Sequence, residues 1–243
     1  MNKPAVTVTN QDGSVINADS IRKLYGDFIA VAGITLRVEP GETYGLLGPN
    51  GAGKTTTMRM LAGLSPVDSG SITVSGIDVI KDNRAVREVM GVVTQHDGLD
   101  NGLTVFQNLF LFGFLAGQSR KDAKYRAHQV LEFFGLRERS KDNTYELSGG
   151  MKRRLAIARS MMSSPQVIVM DEPSTGLDPQ SRNRVWEELA ILKDAGVTVL
   201  LSTHYMEEAT VLCDRLSIID HGKILDEGSP EQMIERHAPR EVA

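Results

Sequence analysis

The sequence predicts an α/β fold built on a sheet covered on both faces, and three observations lead there. Short β-rich runs recur at 44–47, 71–74, 89–94, 167–170, 197–202 and 216–219, each punctuated by Gly, Pro, Asp or Asn. Several of these runs are apolar without interruption, the pattern of strands that see no solvent on either face. Helical periodicity fills the gaps between them, over 54–64, 121–134, 149–162, 180–193 and 205–212. A chain that alternates in this way collects its ligands at the carboxyl ends of its strands.

Taken in order, each stretch has a local reason. Residues 1–18 mix polar and short apolar side chains and read as a loosely held terminus, without the basic start and apolar core of a signal peptide. The most apolar stretch, 103–117, is interrupted by Gln107, Asn108 and Gly113. It falls short of the roughly 20 apolar residues that span a bilayer, so the chain is not expected to cross a membrane alone. From 95 to 162 alternation gives way to helices, which predicts an inserted helical subdomain at 96–162 between core segments 1–95 and 163–243. The helix at 180–193 places Val185, Leu189 and Leu192 on one face, with Asp178 as N-cap and Pro179 as its first residue. Residues 235–243 again read as a loose end.

Composition narrows the functional classes. The 243 residues carry 27 Lys and Arg against 31 Asp and Glu, a net charge of −4, with 41% hydrophobic and 24% charged content. A chain of this size buries roughly 70–75% of its unfolded surface and needs no disulfide or metal staple. The acidic balance argues against a polyanion binder, and no nucleic-acid partner is expected. Cys213 is the only cysteine, which excludes an intramolecular disulfide, favours a reducing compartment and reads as a small core residue.

The run Tyr44-Gly45-Leu46-Leu47-Gly48-Pro49-Asn50-Gly51-Ala52-Gly53-Lys54-Thr55-Thr56 is a strand, a glycine-rich loop and a helix start that satisfies G-x-x-x-x-G-K-[ST]. Glycines at 48, 51 and 53 permit positive φ and close backbone approach, so consecutive N–H groups can turn toward the phosphates of a nucleotide. The helix N-terminus adds partial positive charge. Lys54 reaches the β- and γ-phosphates in such a loop, the Thr55 hydroxyl ligates Mg²⁺, and Thr56 supports the α-phosphate. A second run, Val167-Ile168-Val169-Met170-Asp171-Glu172-Pro173, delivers two carboxylates at the end of an apolar strand. Beside a phosphate loop, Asp171 suits Mg²⁺ and Glu172 suits the water that attacks the γ-phosphate in line. No covalent intermediate is needed, because phosphoryl transfer to water depends on positioning and charge stabilisation.

At Leu147-Ser148-Gly149-Gly150-Met151-Lys152-Arg153-Arg154 the sequence resembles the signature of ATP-binding cassette (ABC) ATPases, and the other motifs follow in that family's order over roughly 21–234. The resemblance implies a single domain over 1–243. Its fold is a P-loop NTPase (RecA-like) core sheet with an N-terminal antiparallel β portion and an inserted α-helical subdomain that carries the signature. It implies ATP and Mg²⁺ as cofactors. It also implies that Ser148, Gly149 and Gly150 bind the γ-phosphate held by the phosphate loop of a second subunit. The physical logic stands by itself: Ser148 caps a helix whose first N–H groups and dipole attract an anion. By resemblance, Tyr25 stacks on adenine, Gln95 senses Mg²⁺ and the attacking water, Asp178 works across the dimer interface, and His204 contacts the γ-phosphate. Taken singly, a lone Tyr is more often a packing residue, and a Gln at a strand end a solvated one. His96, His128, His221 and His237 read as surface or turn residues.

Met151 stands where the family most often has Gln, so a side-chain contact is missing while the backbone donors remain. With Lys152-Arg153-Arg154, Ser174-Thr175-Gly176-Leu177-Asp178 and Thr94-Gln95-His96-Asp97-Gly98-Leu99-Asp100, it is similar to the ABC-2 exporter branch, among the ATPases of lipo-oligosaccharide nodulation, drug and polyketide exporters. The basic triplet reads as a solvated helix face. This resemblance implies a homodimer on ATP binding, a separate ABC-2 type membrane permease docked near the helical subdomain, and a cytoplasmic location, peripheral on the inner face of the cell membrane through that permease. The stretch 109–116 is a candidate floor for the docking groove, with core packing as the alternative. An importer ATPase would share the same chemistry. A DNA-repair ABC ATPase would need a long heptad-bearing insertion where this chain has 92 residues between Thr55 and Ser148. A translation factor would carry two such cassettes.

Overall fold

The structure is a computed structural model that describes residues 8–237. The strands β1 (Ile16–Tyr25), β2 (Phe28–Val38), β4 (Ser69–Val74) and β5 (Ile77–Asp78) form an antiparallel sheet ordered β2-β1-β4-β5. A second sheet, ordered β10-β9-β3-β8-β7-β6, is made of β3 (Thr43–Leu47), β6 (Met90–Val93), β7 (Val167–Asp171), β8 (Thr198–Thr203), β9 (Arg215–Asp220) and β10 (Lys223–Gly228). Its strands pair in parallel except β10, which returns antiparallel along the edge beside β9.

The parallel strands are apolar because both of their faces are covered. Ile168 and Met170 of β7 join Val199, Leu201 and Leu216 in a core beneath the helices α5 (Gly149–Ser160), α6 (Pro179–Asp194) and α7 (Met206–Leu212). The alternate residues Val167 and Val169 face the other way, with Tyr44, Leu46 and Leu200, against α1 (Lys54–Leu61) and the antiparallel sheet. A one-residue slip would exchange these faces, so the register is pinned. Before β7 come α2 (Asn83–Val89), α3 (Val105–Leu115) and α4 (Arg120–Phe133), and α8 (Pro230–His237) follows β10. Thr104 and Gln107 close a capping box at the start of α3. Among the described residues, no helix is long and apolar enough to cross a membrane.

Two expectations need correction. The N-terminal stretch is not loose from Asn10 onward: Asn10 accepts from the Gly76 N–H at 2.8 Å, and Ile16 is fully buried and pairs with both Val38 and Val74. Residues 1–7 lie outside the described ones. Glu235, Arg236 and His237 are not a loose end but complete α8, where His237 Nε2 lies 2.7 Å from Asp226, while 238–243 lie outside the description. The strands β1, β2 and β10 carry no continuous apolar run, because they mix charged and small residues and one face of each is partly open.

The helices α5 and α6 meet along a tight seam where a Cβ on Gly150 would collide with Ser181. One turn on, the Arg154 guanidinium lies 3.8 Å from Glu188, which is buried in the same seam. Burial pushes the Glu188 carboxyl up to about 8, with Arg154 acting in the opposite direction. Its folded pKa is above the ordinary 4.5, so the folded chain holds this proton to higher pH than the unfolded one. The contribution to stability is fully present below 4.5 and is lost as pH rises through about 8. Glu188→Gln should therefore flatten the fall in unfolding free energy across that window in urea titrations; an unchanged pH slope would contradict the assignment.

Candidate active site

The loop between β3 and α1 takes its shape from its glycines. Gly51 and Gly53 adopt φ of 83° and 101°, in the left-handed region. Gly48 does not; it is glycine because a Cβ there would collide with the Ile219 carbonyl. The expectation of positive φ thus holds at 51 and 53, and at 48 close approach alone explains the residue. Within the loop the Ala52 N–H donates to Pro49 O at 3.2 Å, and Ala52 O accepts from Gly222 N–H at 2.9 Å. Lys54 opens α1 and folds back over the loop, its Nζ donating to Gly48 O at 2.7 Å and Pro49 O at 3.0 Å.

The carboxylates stand opposite. Asp171 ends β7, and its Oδ1 accepts from Ser202 Oγ at 2.5 Å. Glu172 follows with φ 48°, an uncommon conformation for a residue with a side chain. Its N–H donates to Ser202, at 3.1 Å to Oγ and 3.2 Å to the carbonyl. Its Oε2 accepts from Thr175 Oγ1 at 3.0 Å, and its Oε1 lies 3.6 Å from Lys54 Nζ and 3.3 Å from His204 Nδ1. A buried ammonium and a buried carboxylate are thereby paired, which is what makes either tolerable away from water.

A cleft of about 390 Å³ brings together Tyr25, Asn50, Gly51, Gly53, Lys54, Thr55, Thr56, Gln95 and Glu172. An adjoining cavity of about 350 Å³ shares Thr55 and Gln95 and adds Asp171. Thr55, Gln95 and Asp171 so offer hydroxyl, amide and carboxylate oxygens to one space, a donor set that suits Mg²⁺. Ser148, Gly149, Gly150 and Asp178 are not among the residues lining that cleft. Ser148 Oγ accepts from Met151 N–H at 3.3 Å to cap α5, and Asp178 Oδ1 accepts from Ser181 N–H at 2.9 Å to cap α6. Both caps are exposed, and the N–H groups of the first turn of α5 have no partner within the helix.

Four site residues were not assigned from the sequence. Phe28 faces Tyr25 across the hairpin and lines the same cleft; the aromatic pair around Gly26-Asp27 was its signal. Ser202 and Thr175 orient the carboxylates and carry no spacing signature. The fourth, Arg153, overturns the solvated reading of the basic triplet. Only 5% of it is exposed, and its guanidinium donates to Pro173 O at 2.8 Å, Thr94 O at 2.7 Å and Asp171 O at 3.0 Å. Arg154 also turns inward, to Phe134 O at 3.2 Å.

Residues 31–175 match the family described as ABC transporter. The chain is 48% identical over 222 residues to the Nod factor export ATP-binding protein I of Rhizobium sp. strain N33, covering 91% of this chain and 73% of that one. It is 44% identical over 222 residues to the linearmycin resistance ATP-binding protein of Bacillus subtilis strain 168, covering 91% and 71%. Among solved structures, cbiO1 of Clostridium perfringens, part of the ABC transporter complex cbiONQ, superposes with a TM-score of 0.84 at 25% identity, over 92% of this chain and 91% of that one. The ADP conformation of an ATP-binding cassette of an ABC transporter superposes at 0.81 with 26% identity, over 92% and 94%.

The collision at Gly48 yields a direct test. Gly48→Ala should lower the unfolding free energy by about 1–3 kcal/mol, since the carbonyl it meets is backbone and cannot swing away. Chemical denaturation checks this, and an unchanged midpoint and slope would refute it.

Proposed function

We propose that this chain, which belongs to the ABC transporter family and is an ATPase, binds ATP with Mg²⁺, closes head to tail on a second copy of itself, and hydrolyses ATP to drive export through a separate membrane permease of the ABC-2 type. The observation that carries the reading is the separation of its phosphate-binding parts. The glycine-rich loop, Lys54 and Glu172 meet in one cleft, whereas the helix tip at Ser148 lies on an exposed surface outside it. A tip so placed completes a site on another molecule.

In this reading Tyr25 stacks on adenine, and the loop from Gly48 through Pro49, Asn50, Gly51 and Ala52 to Gly53 wraps the β-phosphate. Lys54 exchanges the loop carbonyls for β- and γ-phosphate oxygens, and Thr56 supports the α-phosphate. Thr55, Gln95 and Asp171 would hold Mg²⁺, which would supply positive charge against the triphosphate when bound. Glu172 takes a proton from the water that attacks the γ-phosphorus in line, as the bond to the leaving β-phosphate oxygen breaks. His204, beside Glu172, contacts the γ-phosphate. The partner subunit's Ser148, the partner subunit's Gly149 and the partner subunit's Gly150 stabilise the charge that develops there, and Asp178 meets the partner across the interface.

The division into a nucleotide-binding core (1–95 and 163–243) and a signature-bearing helical subdomain (96–162) belongs to the same proposal. The relative named for Nod factor export supports the outward direction. The permease is proposed to dock over α3, placing the chain on the cytoplasmic face of the membrane. Leu109 and Gly113 turn into the core, but Phe112 and Leu115 remain exposed beside Arg84, Arg87 and Glu88 of α2 around a groove of about 760 Å³, whose two arginines outnumber its one carboxylate. An amphipathic permease helix with acidic residues fits that lining.

Glu172→Gln should keep ATP affinity, lose at least about a hundredfold in turnover, and accumulate as an ATP-bound dimer in size-exclusion chromatography. Hydrolysis at the wild-type rate would defeat the assignment.

A further inference from the structure

We propose that Arg153 is a positioning residue through which the signature helix of a chain sets the geometry of that same chain's Glu172 and Gln95. Engagement of the helix tip by a partner's nucleotide would thus make the chain's own cleft competent, and the inference rests on the dimeric reading above.

Arg153 lies in α5 five residues beyond the cap Ser148. Its planar fork reaches three carbonyls from two separate segments. Thr94 O precedes Gln95, at the end of β6. Asp171 O and Pro173 O flank Glu172 on either side. The Asp97 carboxylate, 3.8 Å from Nη1, steadies the guanidinium from the loop that Gln95 opens.

Each of these bonds has a consequence for the cleft. A residue held at φ 48° persists only when its surroundings fix the backbone, and Glu172 is fixed by Ser202 at its N–H and by Arg153 at both neighbouring carbonyls. A helix moves as a rigid rod, so displacement of its first turn carries Arg153, little more than one turn away, with it. A fork that grips both sides of Glu172 and the residue before Gln95 transmits that displacement to the two groups facing the γ-phosphate. Two nucleotides in a dimer are then coupled, since each engages the helix that positions the other cleft's carboxylate.

Lysine cannot substitute. It keeps the charge but offers a single nitrogen, which cannot span three carbonyls in one plane. ATPase kinetics of the full chain with Arg153→Lys should therefore show kcat down about tenfold or more with KM little changed. The Hill coefficient for ATP should fall toward one. Binding of a fluorescent ATP analogue to the monomer should stay within about twofold of wild type. Asp97→Asn, altering a partly exposed side chain, should move kcat and the Hill coefficient in the same direction by less, and it decides the matter if Arg153→Lys fails to fold. A variant that melts like wild type yet keeps wild-type kcat and cooperativity overturns the proposal. So does a loss of monomer affinity that accounts for the whole fall in rate, which would leave Arg153 a structural brace. Glu172→Gln, assayed in parallel, separates the two ideas: loss of turnover in that variant together with wild-type kinetics in Arg153→Lys would sink the role of Arg153 and leave the reading of the site standing, whereas wild-type hydrolysis by Glu172→Gln would sink that reading first.

Discussion

The ammonium of Lys54 and the carboxylate of Glu172 stand 3.6 Å apart because β3 and β7 end at one level on either side of β8. β8 enforces that level. Thr203 O accepts from the Gly48 N–H at 3.2 Å and Ser202 O from the Glu172 N–H at 3.2 Å, so consecutive residues of one strand anchor the phosphate loop and the carboxylate turn. The pairing of Leu47 with Thr203 and of Asp171 with Ser202 cannot slip without exchanging the two cores. Two buried charges are affordable here only as a pair, and the pair exists only while the register holds.

From this constraint the division of the molecule follows. Everything that would touch the near side of a nucleotide triphosphate converges on the strand ends. The helix tips capped by Ser148 and Asp178 are packed together instead, through Gly150 and Ser181, and face solvent. A second copy in the reverse orientation would bring its tips over the cleft and supply the anion-binding N–H groups that α5 cannot use itself. Arg154 and the buried Glu188 pack α5 and α6 together as one body. Arg153 ties that body to the carboxylate turn.

What was legible in the sequence was what backbone geometry demands locally. The glycines at 51 and 53 answer a φ that few other residues adopt, and an apolar run such as Val167 to Met170 answers burial on both faces. What was not legible depended on distant partners. Arg153 looks solvated in a basic triplet because the three carbonyls that justify its burial lie 18, 20 and 59 residues away. Glu188 on a core-facing helix position is intelligible only once Arg154 is opposite. β1 and β2 hide in a mixed pattern because their partial exposure lets charged residues alternate with apolar ones.

The central claim is that no cleft works until a second chain arrives. Steady-state ATP hydrolysis per mole of protein, followed down a dilution series alongside sedimentation, tests it most directly. The account predicts a specific rate that falls with dilution and vanishes as the protein becomes monomeric. A specific rate that stays constant where only monomer sediments would contradict it.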